Sequence, residues 1–365
     1  VSIPVQPGTA PLRLGTRGSA LALTQSGLIA RRLEELLGRP VELVRIRTEG
    51  DVKTGSLASL GGTGVFVTAL REALLDGRCD VAVHSLKDLP TTQPPELTVV
   101  TPEREDPRDV LCARDRLTLD TLPRGARVGT GSPRRAAQLQ AARPDIEIVD
   151  IRGNVDTRIA RALGPDADLD AVVLAHAGLI RLGRTDVVTE VLAPSVVAPA
   201  PGQGALAVEA RTADLGPDAA DGGVLADAFA ALDHRPTRLA VVAERAVLAR
   251  LEAGCAAPVG AHARVEDDAL LLGAVVSRVD GTEQLMHRAS TELGADLPVA
   301  DLDAVATELG ERVAAALLAD GAARLAPLGG AGASAVSPDV PAHEAPRVDA
   351  APLHTPTGTD DPEGA

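Results

Sequence analysis

The chain has 365 residues, enough for two or three domains, and hydrophobic residues make up 45% of it, enough for ordinary cores. Two Phe and no Trp or Tyr leave those cores to Leu, Val, Ala and Ile, and remove the aromatic platforms that single-stranded nucleic-acid binding relies on. A formal net charge of -15 argues against DNA or an anionic membrane as the main partner.

The first strong element is a strand at 12–16 that runs into Arg17, Gly18 and Ser19. Ser19 is a helix N-cap, and Leu21, Leu28, Ile29, Leu33, Leu36 and Leu37 give a helical stripe that stops at Gly38. Free N–H groups and the helix dipole make such a strand–turn–helix corner an anion site, to which Arg17 would add a forked donor; the plain alternative leaves Arg17 in solvent. A strand at 41–47 follows, then a stretch at 48–64 whose length and five glycines suggest a mobile loop. Its Gly61-Gly62-Thr63-Gly64 is not a Walker sequence. A helix at 65–76 opens with Phe66, which reads as core or as a ligand platform.

The stretch at 81–90 is the centre of the reading. Val81, Ala82 and Val83 form a buried strand, and His84, Ser85, Lys87 and Asp88 gather at its carboxyl end. Open α/β sheets bind ligands just beyond the carboxyl ends of their strands, so a site is expected here; a structural ion pair is the plain alternative. A strand at 97–100 and a Pro-containing linker at 101–108 lead into a second run of strand–helix units.

In that run, strands are expected at 110–113, 127–130, 146–151 and 171–175. Thr130 and Gly131 precede Ser132, an N-cap, with Pro133 at the first helical position. Arg134 and Arg135 then sit in the first helical turn against the dipole, a placement that calls for an anion. Arg152 and Gly153 precede Asn154, a further cap, with Arg158 one turn in; His176 and Arg181 follow the last strand. Strand ends and helix starts carrying basic or small polar groups throughout an acidic chain point to one cation-lined cleft.

Pro201-Gly202-Gln203-Gly204 is a turn entering a strand near Glu209, without the order of a dinucleotide fold. A linker at 211–223, helices at 225–232 and 238–251, an antiparallel sheet over 260–289 and a helix at 299–318 read as a small α+β domain. The segment at 329–365 holds six acidic residues, one Arg and six Pro, and is expected to be disordered, with no role that follows from its residues. The three cysteines are widely spaced, which is neither a disulfide framework nor a zinc site, and no other metal cluster is read. Cys79 and Cys112 adjoin apolar strands, whereas Cys255 lies in a loop where access would suit a reactive thiol. Cysteine usage fits a reducing cytosol; with no leader and no apolar run of about 18 residues, a cytoplasmic protein is expected.

Taken together these residues resemble the porphobilinogen deaminase (hydroxymethylbilane synthase) family over about 12–325. The resemblance rests on Thr16-Arg17-Gly18-Ser19, Val83-His84-Ser85-Leu86-Lys87-Asp88, Gly129-Thr130-Gly131-Ser132-Pro133-Arg134-Arg135, Arg152-Gly153-Asn154-Val155-Asp156-Thr157-Arg158, Gly202-Gln203-Gly204, and Gly254-Cys255 with Pro258 and Gly260. It implies two doubly wound α/β domains like those of periplasmic binding proteins, plus a small α+β domain. Expected boundaries are 1–104 with 199–223 for the first, 105–198 for the second, 224–328 for the third, and 329–365 for the tail.

The resemblance also implies a transferase of tetrapyrrole (haem, porphyrin) biosynthesis. It joins four porphobilinogen molecules head to tail into hydroxymethylbilane, releasing ammonia each time. One dipyrromethane cofactor per chain would be attached covalently to Cys255. Asp88, Lys87 and Arg17 are the expected catalytic residues. Ser85, Lys87, Asp88, Thr130, Ser132, Arg134, Arg135 and Gly153 would hold the cofactor with Cys255. Arg17, Ser19, Arg152, Arg158, Arg181, Gln203 and Phe66 would meet the substrate, whose carboxylates call for forked cation donors. Asp88 would stabilise the cation left when ammonia departs. A monomer is the family expectation, with the product passing to uroporphyrinogen-III synthase and no nucleic-acid or membrane partner. A non-enzymatic anion-binding or effector-sensing protein is the rival reading. A phosphate-ester enzyme would need a metal cluster or Walker pattern.

Overall fold

The computed structural model describes residues 10–46, 64–219, 221, 223–254, 257–294 and 298–328. The expected loop before Gly64, Cys255, and the acidic segment at 329–365 therefore lie outside the described residues.

The first part of the chain alternates strand and helix: β1 (Leu12–Thr16), α1 (Ala20–Leu37), β2 (Val41–Arg45), α2 (Gly64–Leu75), β3 (Val81–Ser85) and β4 (Leu97–Val100). The second part repeats the alternation with β5 (Asp109–Ala113), β6 (Arg127–Gly129), α3 (Pro133–Ala142), β7 (Glu147–Val149), α4 (Val155–Leu163), β8 (Ala171–Ala175), α5 (His176–Leu182) and β9 (Glu190–Val191). β10 (Leu206–Arg211), α6 (Val224–Leu232) and α7 (Arg235–Arg250) follow. The chain then forms β11 (Val259–Glu266), β12 (Ala269–Ser277), β13 (Gln284–Glu292) and α8 (Val299–Ala319).

The strands pair into three sheets of order β2-β1-β3-β10-β4, β7-β6-β8-β5-β9 and β11-β12-β13. The first two share one plan. Three strands run parallel, β2, β1 and β3 in one and β7, β6 and β8 in the other. An antiparallel strand then enters from the far half of the chain: β10 lies between β3 and β4, and β5 between β8 and β9. The backbone thus crosses between the sheets twice, at 101–108 and 192–205. β5 and most of β10 are buried along their length, as expected for strands covered on both faces.

Local chemistry sets the helix starts. Ser19 accepts from Ala22 N, Ser132 from Arg135 N, and Asn154 from Thr157 N at 2.9 Å. Gly38 ends α1 in the left-handed conformation, with φ 63°. Some boundaries differ from expectation. The strands read at 41–47 and 146–151 are shorter, and α7 begins at Arg235 because the His234 side chain caps it and Pro236 suits its first turn. The two-residue β9 carries no periodicity and had no signal in the sequence. α6 packs through Leu225, Ala228, Phe229 and Leu232 onto Leu12, Leu14 and Val208, so this helix covers the first sheet.

The third sheet is antiparallel and one-sided. Ala261, Ala263, Leu270 and Leu272 pack on Leu239, Val247, Leu309 and Val313 of α7 and α8. Each fully buried Leu or Val there contributes roughly 1.5–3 kcal/mol. β13 alternates strictly between half-buried and exposed residues, the pattern of a strand with one wet face.

Candidate active site

β3 ends at Ser85 and the chain turns at once through a short 3-10 turn, Leu86–Asp88. Leu86 is buried and anchors the turn, leaving Lys87 and Asp88 half-buried at the strand's carboxyl end. Gln25 of α1 donates to Ser85 Oγ at 3.2 Å, which fixes the turn against the first helix. Lys87 Nζ donates to Gln203 Oε1 at 3.1 Å. The amide of Gln203 in turn donates to Pro107 O and to Asp109 Oδ1, both at 2.7 Å. Asp109 accepts Arg134 Nη2 at 2.8 Å and Arg135 Nη2 at 2.7 Å. One unbroken polar chain therefore runs from the turn after β3, through the second crossing segment, to the N-terminus of α3.

The electrostatics follow from that packing. Lys87 falls to about 8; burial is the largest cause and Arg135 the next, with Asp88 and Asp109 opposing. Burial pushes the Asp109 carboxyl up, but Arg134, Arg135 and Gln203 outweigh it and hold Asp109 well below the usual carboxylate range. Burial also lowers Arg134, with Asp109 opposing. Arg158 is lowered by burial and then by repulsion from Arg135 and Arg152. Lys87, Arg134, Arg135 and Arg158 thus lie close enough for their charges to act on one another. Arg135 Nε is itself buried without a hydrogen-bond partner among the described residues.

Arg17 and Ser19 lie half-buried in the turn after β1, with Ser19 occupied as the cap of α1. Thr130 is buried after β6, and its Oγ1 accepts from Ser132 N at 3.2 Å. Gly153 has φ 110°, outside the reach of L side chains, and a Cβ there would press on Thr157. Arg152 is exposed and leans toward Asp150 at 3.3 Å, while Arg158 Nε donates to Gly153 O at 2.8 Å. Arg181 is drawn elsewhere: its Nη2 donates to Gly204 O at 2.6 Å on the crossing segment, and Glu105 is its carboxylate neighbour. Phe66 belongs to the first turn of α2.

Three buried carboxylates that organise this region gave no signal in the sequence. Asp109 is the anion that Arg134 and Arg135 call for. Glu209 of β10 is fully buried and meets His84 Nε2 at 2.9 Å, Arg71 Nη2 at 2.7 Å and Gln93 Nε2 at 3.1 Å. Burial pushes Glu209 up, but His84 and Arg71 more than reverse this and bring it to about 2. Glu244 of α7 accepts Arg104 Nη1, Gly202 N and Ala263 N, each at 2.7 Å, so one carboxylate ties both crossing segments to the third sheet. In each case the partners are tens of residues away in sequence, beyond any local pattern.

Among the described residues, no cluster of three or more His, Cys, Asp or Glu side chains could hold a metal ion, and no helix is long and apolar enough to cross a membrane. Comparison with known proteins gives consistent matches. The family model described as porphobilinogen deaminase, dipyromethane cofactor binding domain, matches residues 12–216. That of the porphobilinogen deaminase C-terminal domain matches residues 238–319. The porphobilinogen deaminase of Leifsonia xyli subsp. xyli is 55% identical over 322 residues, covering 87% of this chain and 95% of that protein. Its namesake from Micrococcus luteus is 56% identical over 311 residues, 78% of this chain and 82% of that one, and that from Cutibacterium acnes is 54% identical over 338 residues, 88% and 99%. Among solved structures, the L-cystine solute receptor of Neisseria gonorrhoeae is similar at 14% identity with a TM-score of 0.35, over 61% of this chain and 85% of the receptor. The two family models and the long, high-identity matches show that this chain belongs to the porphobilinogen deaminase family.

Proposed function

We propose that this chain condenses four porphobilinogen molecules head to tail into hydroxymethylbilane, releasing one ammonia at each step. The observation that carries the reading is the polar chain by which Gln203 and Asp109 link Lys87 to Arg134 and Arg135, with the Asp88 charge next to Lys87. A pyrrole bearing an acetate and a propionate suits that arrangement, since forked guanidinium donors match carboxylates.

The same donor set fits a dipyrromethane, one per chain, attached through a thioether to Cys255. When bound, that group supplies the pyrrole terminus at which condensation begins. Ser85, Lys87, Thr130, Ser132, Arg134, Arg135 and Gly153 would hold its carboxylates, while Arg17, Ser19, Arg152 and Arg158 receive the incoming substrate. Gln203 lies on the second crossing segment and Arg181 donates to it, so their contribution is to set the spacing of the two sheets; Phe66 belongs to the first turn of α2.

Asp88 stands beside the Lys87 ammonium in a cation-rich setting. As ammonia leaves porphobilinogen, positive charge develops on the pyrrole, and the Asp88 carboxylate stabilises it by accepting from the ring N–H. Arg17 and Lys87 keep the substrate carboxylates fixed meanwhile, which turns encounter into a positioned step. The domain partition that goes with this mechanism is 1–104 with 199–223, then 105–198, then a third domain ending at 328; α6 moves with the first sheet, on which it packs. We place the enzyme in the cytoplasm as a monomer whose product passes to a cyclising enzyme, uroporphyrinogen-III synthase.

Ammonia release from porphobilinogen by purified protein tests the reading. Asp88→Asn should retain substrate binding and lose turnover by at least about 100-fold, the scale of a positioned acid–base or charge-stabilising group. Near-normal turnover in that variant would remove Asp88 from the chemistry, and no ammonia from the unaltered chain would return the anion-binding alternative.

A further inference from the structure

The outward face of the third sheet holds a cavity that the proposed reaction leaves unused. Residues alternate along each strand, so those opposite the α7 and α8 core point away from it. Register sets His262 beside Gly273 and Gly273 beside Arg288 across the three strands; one row over, Val275 pairs with Met286. Together with Leu271 and the nearby loop residue Ser195, they line a cavity of about 600 Å³.

Its walls have a definite chemistry. Leu271, Val275 and Met286 give an apolar side, and Met286 is 44% exposed. Among the described residues no Asp or Glu lines the cavity, in a chain with a net charge of -15. Arg264 is held by Glu266 at 2.8 Å. The side chains of Arg288 and His262 make no hydrogen bond or ion pair among the described residues, so both present unused donors to the cavity. Gly273 keeps the space between them open: a Cβ there would lie 3.5 Å from Arg288 Cγ. Arg264, Arg288 and His262 in the lining disfavour a cation, and the volume exceeds what a small inorganic ion fills.

We infer that this cavity is a binding site for an aryl carboxylate, its ring on Leu271, Val275 and Met286 and its carboxylate shared by Arg288 and His262. The two ends of such a ligand match the two kinds of wall, and the donors lie on one row of the sheet. None of the residues assigned to the reaction lines this cavity, so the inference does not depend on that assignment.

The test uses naphthalene-2-carboxylate as the probe and the full chain, whose lack of Trp and Tyr leaves the emission to the probe alone. Saturable binding is expected, weakened about tenfold in Arg288→Leu, since a hydrogen bond to a charged group is lost. Met286→Asp should weaken it further by setting a carboxylate against the ligand, and the neutral naphthalene-2-methanol should bind at least about tenfold more weakly. Arg288 and Met286 are exposed, so both variants should fold and keep their turnover of porphobilinogen. Equal binding to the unaltered chain and both variants, or no saturable binding, would each overturn the inference.

Discussion

Asp109→Asn is the change that most severely tests the polar chain behind the site. The Asp109 carboxylate is fully buried between two guanidiniums at 2.8 and 2.7 Å and also accepts from Gln203 at 2.7 Å. Asparagine keeps the shape but loses the charge, and its amide must point N–H groups at a cation or at another N–H. Removing one partner of a buried ion pair costs about 3–5 kcal/mol, chiefly because the remaining charge is left uncompensated. Here two buried guanidiniums are left, so the loss should reach at least that range, against a typical total stability of about 5–15 kcal/mol. The assay is urea unfolding followed by far-ultraviolet circular dichroism, because the chain has no Trp to report by fluorescence. The pH dependence has a definite sign. Asp109 is held below its ordinary value of 3.8, so its stabilisation is present above that value and fades as pH falls toward the lower folded one. The difference between wild type and Asp109→Asn should therefore shrink on acidification below about 4. A variant within about 0.5 kcal/mol of wild type at pH 7 would refute the reasoning, since that is the scale of an ordinary surface substitution.

Three further outcomes follow from the same contacts. Lys87 titrates near 8, so kcat/KM for porphobilinogen should fall as pH rises through that value; Lys87→Arg, which stays charged, should abolish this limb, and an unchanged limb would assign it to another group. Glu209 is held at about 2 in the folded state, so its contribution is complete above the ordinary value of 4.5 and is lost as pH falls toward 2. Glu209→Gln should flatten the acid limb of stability over that window, as read from urea midpoints at stepped pH. Gly204 has φ 87° and faces the Glu105 carbonyl oxygen, so Gly204→Ala should destabilise by more than the roughly 1–2 kcal/mol of the left-handed backbone alone; a neutral substitution would show that the crossing segments yield easily.

What could be read from the sequence was what is local in it. Ser19, Ser132 and Asn154 were legible as caps because the capping bond closes within three residues, and Pro133 reinforced one of them. The polar turn after Val83 was legible because Lys and Asp following a buried strand break the apolar run. Arg134 and Arg135 were legible as needing an anion, but the identity of that anion was not. Asp109 lies 25 residues from Arg134 and reaches it only because β5 runs antiparallel between β8 and β9. The same holds for Glu244, 140 residues from Arg104, and for Glu209, 138 residues from Arg71. Arg181 is the converse case: its position after β8 suggested the cleft, and what the chain order could not show is that its Nη2 donates to the Gly204 carbonyl on the crossing segment. α6 read as part of the small C-terminal domain by its place in the chain, whereas its apolar side packs on Leu12, Leu14 and Val208.

The intact mass of the purified chain, alone and as Cys255→Ser, tests the central claim most directly. The account predicts a discrete excess equal to two linked pyrrole units on the unaltered chain and none on the variant. On adding porphobilinogen, the unaltered chain should gain further steps of one pyrrole unit each. A bare mass that gains no step with porphobilinogen would contradict covalent growth on Cys255, as would an excess that survives the Cys255→Ser change.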